Sequence, residues 1–435
     1  MATAFDRAIA EPRLGAAAWV EDTHNLWPLG ADFVYSDIDH VPGRGTFVLA
    51  TTLLLEVRDA APQVITGLDT PLPRFEGSAG AMATPDGDRL YVLYSTVSRA
   101  WHRRDGTATA SAFLLERNNG RWGELALPPV PLPVGQWWLS KLVAAPDGSV
   151  YVTAFNSGLW STDPRTTRVG ELPWTTLLYR YDGTRWHGIS SPFLSPLHRI
   201  MGVCTAPGGD VFVSGRVYTT NADATVASAR GFAGRYVVDE GRWRDLSPPR
   251  PHPATTNWSI EKLTCGRDGR VLAAMNYRLG ETRPQFAFFV EHPALSILDG
   301  DTWQHIEDLP PRPPTDLPAD RQYSQIAALA FDDRGRAWIS YATESQQTGH
   351  LWRRDGQAWR QFEPPAIPRA RYYTVDDIVF DENGEGWGIS NVYGGAADPR
   401  SHGVLLRFRD ESWKLQNWKR LVPPRRRSGL VGRIR

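Results

Sequence analysis

Apolar positions along this chain fall in short runs that alternate with polar ones, and successive runs are joined by tight polar turns. Residues 139–144 enter the turn Pro146-Asp147-Gly148 and residues 150–155 leave it. A third run follows at 177–181 and a fourth at 186–189, the last opening on Trp186. Period-two alternation marks half-buried strands, and Asp-Gly supplies the positive φ that a tight hairpin needs. The pattern returns along the chain. Its first turn recurs at Pro85-Asp86-Gly87, Pro207-Gly208-Gly209, Arg267-Asp268-Gly269, Asp333-Arg334-Gly335 and Glu382-Asn383-Gly384, with a degenerate copy at Gly43-Arg44-Gly45. Its fourth run carries Trp122, Trp243, Trp303, Trp359 and Trp413 where this copy has Trp186.

A four-strand unit repeated seven times predicts an all-β fold, a seven-bladed β-propeller of four-stranded antiparallel blades. With the strands of each blade lettered A to D, the other A strands are expected near 34–41, 78–83, 200–205, 260–264, 326–331 and 375–380. B strands are expected at 46–51, 90–94, 211–215, 271–275, 337–341 and 386–390, and C strands at 53–58, 113–117, 234–238, 295–298, 351–353 and 404–408. Paired prolines such as Pro248-Pro249 and Pro310-Pro311 follow several D strands and belong at blade edges, because proline donates no ladder bond. The Trp series is expected to pack between neighbouring blades. One domain, 1–422, precedes a basic tail at 423–435. Segment 16–29, with Trp19 and Trp27, also reads as a D strand. Either it or the run beginning at Trp413 should form the outer edge of the last blade.

Composition narrows the function classes. Lys+Arg and Asp+Glu both number 48, so the formal net charge is zero and no global field draws nucleic acid or an anionic membrane. No apolar run reaches membrane-spanning length. Without a positive start and apolar core at the N-terminus, a cytoplasmic, monomeric protein is the expectation. Cys204 and Cys265 occupy equivalent slots of neighbouring repeats and read as buried small hydrophobes rather than a disulfide. No metal or cofactor is expected, because His and Cys show none of the usual ligand spacings and no phosphate or dinucleotide loop is present. Asp381-Glu382-Asn383-Gly384 stands where the other repeats have their hairpin turn and reads as a turn, not a calcium loop.

Candidate chemistry gathers on one side. B–C insertions at 96–109, 156–175, 216–231, 276–291, 342–348 and 391–402 contrast with minimal A–B turns on the opposite face. Long loops on one face of a rigid scaffold are where binding and catalysis concentrate. The candidate ligand-binding residues there are Trp138, His198, Arg199, Asn257, Trp258, Tyr323 and Tyr373 at A-strand mouths, with Arg216 and Tyr218 early in an insertion. Aligning A strands on their turns gives the column Asp37, Gly80, Lys141, Gly202, Lys262, Ala328, Asp377, preceded by Ser36, Ala79, Ser140, Met201, Glu261, Ala327, Asp376. Charges of both signs should therefore meet in the central channel. Glu261 or Asp377 is the candidate base, with Lys141 or Lys262 modulating its charge, and Arg199 offers a fork for a carboxylate or phosphate. Two readings follow. The first is a recognition propeller binding a small molecule, glycan or protein on the long-loop face. The second is a cofactor-independent lyase, isomerase, cyclase or hydrolase using the same face.

The phrases at 147–152 and 178–186 (Asp-Gly-x-Val-Tyr-Val, then Leu-Tyr-Arg-Tyr-Asp-Gly-x-x-Trp) resemble the β-propeller repeat superfamily, nearest its sensor-type and lyase-type members with Asp-Gly turns. The Asp-x-x-x-Trp look is similar to the Asp-box turns of sialidase-like propellers, but the Ser and Thr positions are mostly missing. The resemblance implies the fold over nearly the whole chain and carries no catalytic residue with it.

Overall fold

The computed structural model describes residues 35–50, 53–58, 61–66, 78–96, 111–128, 137–156, 176–190, 198–220, 226–279, 292–311, 324–343, 350–363, 365, 370–394 and 401–415. Every regular element among them is a strand, and the strands form seven four-stranded antiparallel sheets. Blade 1 is β1 (Tyr35–Val41), β2 (Gly45–Ala50), β3 (Leu53–Arg58) and β4 (Ala61–Thr66). Blade 2 is β5 (Ser78–Ala83), β6 (Arg89–Thr96), β7 (Ser111–Asn118) and β8 (Arg121–Leu125). Blade 3 is β9 (Trp137–Ala144), β10 (Val150–Asn156), β11 (Thr176–Tyr181) and β12 (Trp186–Ile189). Blade 4 is β13 (His198–Thr205), β14 (Val211–Thr220), β15 (Val226–Val237) and β16 (Arg242–Asp245). Blade 5 is β17 (Thr255–Cys265), β18 (Val271–Leu279), β19 (His292–Asp299) and β20 (Thr302–Ile306). Blade 6 is β21 (Ser324–Phe331), β22 (Ala337–Thr343), β23 (His350–Asp355) and β24 (Ala358–Phe362). Blade 7 is β25 (Ala370–Phe380), β26 (Gly386–Gly394), β27 (Ser401–Arg409) and β28 (Ser412–Leu415).

The inner strands touch in chain order from β1 to β25, and β25 returns to β1. Among the described residues the outermost strand of the last blade is β28, which carries Trp413; segment 16–29 lies outside the described residues, as does the tail 423–435. Three of the expected insertions open with four or more residues of strand. Those at 216–231, 276–291 and 391–402 begin as continuations of β14, β18 and β26, because cross-strand pairing continues past the point where the repeat pattern stops.

The core lies between blades. Alternate residues of the middle strands face opposite neighbours: Tyr151 packs with blade 4 residues Ile200 and Val213, while Val150 and Val152 pack with blade 2 residues Ala83 and Leu93. The outer-strand tryptophans tie this packing. Each indole N–H reaches back to a carbonyl just past the D strand of the preceding blade: Trp186 to Ala126 at 2.7 Å, Trp243 to Ser190 at 2.9 Å, and Trp303 and Trp359 to Leu246 and Asp308. These four rings are half-buried, so they act as clasps more than as filling. The largest fully buried side chain is Trp338 of β22, which packs on Phe362, Phe380 and Phe408 and donates to Asp332 at 3.0 Å.

On the short-turn face each blade is fastened to the next. Each turn is internally braced, as where Asp147 accepts the amide of Ser149 at 2.9 Å and Gly148 takes φ 82°. Arg44 pairs with Asp88, and Arg89 lies against Gly148. Thr205 donates to the Ala144 carbonyl at 2.6 Å, and Arg270 to the Gly335 carbonyl at 2.6 Å. Asp333 sits on Gly384, and Glu382 closes the ring by accepting from the Gly43 amide at 3.1 Å and meeting His40 at 2.8 Å. The remaining step, blade 4 to blade 5, is covalent. Cys204 and Cys265 form a disulfide, with Cα atoms 5.7 Å apart and a sequence separation of 61. This corrects the expectation of two unbonded cysteines. Equivalent slots on adjacent inner strands put two Cα atoms within bonding range, a proximity that chain separation conceals.

Candidate functional site

Every inner strand carries a β-bulge at one shared height, and β17 and β25 have a second one near their starts. The shared register shifts lie between Tyr35 and Asp37, Ala79 and Ala81, Leu139 and Lys141, Ile200 and Gly202, Ile260 and Lys262, Ile326 and Ala328, and Val375 and Asp377. The extra residue is Ser36, Gly80, Ser140, Met201, Glu261, Ala327 or Asp376. A bulge lets two successive side chains leave the strand on one side, so a bulge in each inner strand makes a ring of paired positions around the channel. Aligning the strands on their turns finds two adjacent columns of mixed charge, and the bulge is the reason that adjacent columns share one face. Blade 2 is the exception in detail. Its hairpin is one residue out of step, so the true pair is Gly80 and Ala81 rather than Ala79 and Gly80.

The charged members of this ring occupy blades 1, 3, 5 and 7. Asp37 accepts the amides of Ile38 at 3.0 Å and of Met82, on the neighbouring blade, at 2.7 Å. Asp377 accepts the amide of Ile378 at 2.9 Å, the same local geometry one blade away. Both carboxyls keep some contact with solvent along the channel yet are enclosed by protein. Burial, then the charge of Asp377, holds the Asp37 carboxyl well above the usual range, and burial raises Asp377 against the lowering effect of Lys262. Asp39, one pleat below, is likewise raised by burial and accepts from Thr84. Lys262 donates to the Ala327 carbonyl and, at 3.4 Å, to that of Asp376, and burial lowers its pKa. Lys141 is exposed and acts on the Asp37 and Asp377 carboxyls by its charge.

Above this ring, toward the start of the inner strands, lies a second group. Arg199 and Arg216 stand directly opposite one another on β13 and β14. The Arg216 guanidinium lies over the Tyr218 ring, 5.3 Å from its centroid. Burial and then the Arg216 charge depress the Arg199 pKa, while Glu261 acts on it in the opposite sense. Glu261 itself accepts from the Ser259 hydroxyl. Arg199, Arg216, Tyr218 and Glu261 thus share one electrostatic neighbourhood.

Other candidates are used differently. His198 is buried against Phe232 and bonds the Thr176 carbonyl at 2.8 Å, so it packs blade 4 on blade 3. Trp258 is buried with Ala233 and Ile260 between blades 4 and 5. Asn257 accepts the Ala229 amide at 2.6 Å, another tie between those blades. These three side chains at strand mouths are therefore spent on joining neighbouring blades. Trp138 and Tyr373 lie on β9 and β25, paired with Phe155 and Val392, and Tyr323 lies outside the described residues. A separate cavity of about 280 Å³ opens between blades 5 and 6, lined by Tyr277, His305, Glu307 and Tyr341 among others. No sequence signal marked it, since its walls come from two repeats. Asp381 accepts the amides of Asn383 and Glu385, both at 2.8 Å, as a turn residue does, and no group of three or more metal-ligating side chains occurs among the described residues.

The sequence matches no protein-family model and no curated protein. Among solved structures it is similar to the GH74 xyloglucanase from Xanthomonas campestris, at 17% identity and a TM-score of 0.50, over 89% of this chain and 55% of that one. It is also similar to YCF48 bound to a D1 peptide, at 14% identity and a TM-score of 0.47, over 87% and 93% of the two chains. A PL25 ulvan lyase matches at 11% identity and a TM-score of 0.46, over 76% and 80%. At such identities the likeness concerns the fold.

Proposed function

We propose that the protein is a recognition propeller that holds a small molecule, a glycan or a segment of another protein at the mouth of its channel, on the face where the inner strands begin. The observation that carries this reading is the difference between the two faces. On the short-turn face all seven blade-to-blade steps are fastened, one of them covalently. Toward the other face the inner strands carry Arg199, Glu261 and the bulge-ring charges, with Arg216 and Tyr218 in the electrostatic neighbourhood of Arg199. A rigid floor below a polar mouth suits a pre-formed site, because little ordering remains to be done on binding. The disulfide favours an oxidising compartment over the cytoplasm expected from the sequence.

One observation favours the enzyme reading. Asp37 and Asp377 come from adjacent blades; burial and then the Asp377 charge raise the Asp37 carboxyl, and burial raises Asp377. Such a pair can share a proton and serve as acid and base. In that reading Asp377 is the base and Lys262 tunes it. The two readings separate on a glycan and peptide array followed by product analysis of each hit. Recognition predicts saturable binding with the ligand recovered unchanged, and binding that survives Asp377→Asn. Conversion of the bound ligand, abolished by Asp377→Asn, would replace recognition with catalysis.

A further inference from the structure

Comparison of the blade-to-blade steps with one another isolates a single departure. From blade 1 to blade 7, the position just after the shared bulge is Asp37, Ala81, Lys141, Gly202, Lys262, Ala328 and Asp377. At every other step at least one of the two neighbours is uncharged. At the step from blade 7 back to blade 1 both carry charge, and the charges are alike. Burial is the main cause that raises both carboxyls; for Asp37 the Asp377 charge comes next, and Asp39 adds to each. Lys141 acts against this on both, and Lys262 on Asp377. Asp376 stands beside Asp377 at the bulge, with its carbonyl accepting from Lys262. Asp39 accepts from Thr84 on blade 2 and feels His40 on its own strand. Arg407 lies over the Trp387 ring in the apolar core of this joint and is paired with Glu385.

Other parts of the ring are held by ties that reach further. The disulfide joins blade 4 to blade 5. From blade 5, Lys262 reaches past blade 6 to the Asp376 carbonyl of blade 7, and Arg267 reaches the Phe380 carbonyl, both at 3.4 Å. Opening therefore falls most easily at the like-charged step. There the short-turn face is latched by Glu382, which accepts from the Gly43 amide and meets His40. The His40 hydrogen bond draws the Glu382 carboxyl down to about 2. Its contribution is complete above the unfolded value, about 4, and fades as pH falls through the folded one. The channel carboxyls behave in the opposite sense. Raised by the fold, they contribute fully below about 4 and lose that contribution as pH rises through their folded values. On going from mild acid to neutrality the Glu382 carboxylate stays ionised while the repulsion between Asp37 and Asp377 grows.

We propose that the joint between blade 7 and blade 1 is a pH-governed seam, closed in mild acid and opening locally as pH rises through neutrality. The seam stands whether the channel mouth binds its ligand or converts it. Hydrogen–deuterium exchange of the full chain, read by mass spectrometry at pH 5.5 and 7.5 and corrected for intrinsic exchange, measures local opening directly. Peptides from β1–β2 and β25–β26 should lose about tenfold in protection at pH 7.5, while those from β13–β14 in blade 4 stay within about twofold. The Asp37→Asn/Asp377→Asn double variant should keep the pH 5.5 protection at both pH values. Asp377→Asn alone should show a smaller pH response than wild type, and serves where the double variant does not fold. Glu382→Gln should loosen the seam at both pH values without removing the response, and His40→Gln should leave the response in place. An equal loss of protection in β13–β14, a wild-type response in the aspartate variants, or a response abolished by His40→Gln would each overturn the seam.

Discussion

Asp37 shows how one side chain can serve two ends at odds. Its carboxylate ties blade 1 to blade 2 through the Met82 amide, yet it does so beside Asp377 in a channel that disfavours charge. A carboxyl raised in the folded state contributes stability fully below its unfolded value, about 4, and loses that contribution as pH rises through the folded value. At neutral pH the ionised form is therefore a cost. Asp37→Asn keeps an oxygen for the Met82 amide and removes the charge. It should melt higher than wild type at pH 7, with the difference shrinking as pH is lowered toward 4. Melting curves from pH 4 to 8 test this, and a variant that melts lower at pH 7 would show that the hydrogen bond outweighs the repulsion.

Strands and their tryptophans divide the labour differently from what the repeat suggests. The conspicuous series lies on D strands, where each ring is half in water and supplies an inter-blade hydrogen bond. Trp338, outside the series, lies on a B strand with no exposure at all. Trp338→Ala should cost about 3–5 kcal/mol, as loss of a fully buried large aromatic does. Trp186→Ala should cost about 2 kcal/mol, from partial burial and one hydrogen bond. Denaturant titrations of the two variants compare them, and equal losses would contradict the distinction. Trp413 also departs from its series. It is buried in the blade 6–7 core against Trp338 and Phe408 instead of lying half in water.

For the molecule as a whole, the fastening of the short-turn face is the organising feature. Six of its seven links are polar or steric contacts and the seventh is covalent. The disulfide closes a loop spanning one whole repeat, so its loss should lower stability by roughly 2–4 kcal/mol. Melting with and without reductant, beside the Cys204→Ser/Cys265→Ser double variant, measures it. Two titratable thiols in the unreduced, denatured protein would show that the bond does not form. Among the described residues the closure of the ring is a contact between turns. Glu382 of the last blade's turn grips the first blade's turn, and its hydrogen bond with His40 draws its carboxyl down to about 2.

Strand number, blade number and turn positions were legible in the chain, because each depends on local periodicity and on residues such as Asp147 and Gly148 that dictate a hairpin within a few positions. The two charged columns were legible for the same reason. Side-chain direction at the strand mouths was not. Arg199 shares the electrostatic neighbourhood of Glu261 on blade 5 while His198, its neighbour, goes into the blade 3–4 core, and a single-residue register decides which. The bulge that sets this register leaves no mark in composition, and the Cys204–Cys265 bond depends on two strands a whole repeat apart lying side by side. Local sequence determined the repeat unit. The closed ring decided which of its side chains meet, since those contacts join blades and no single repeat contains both partners.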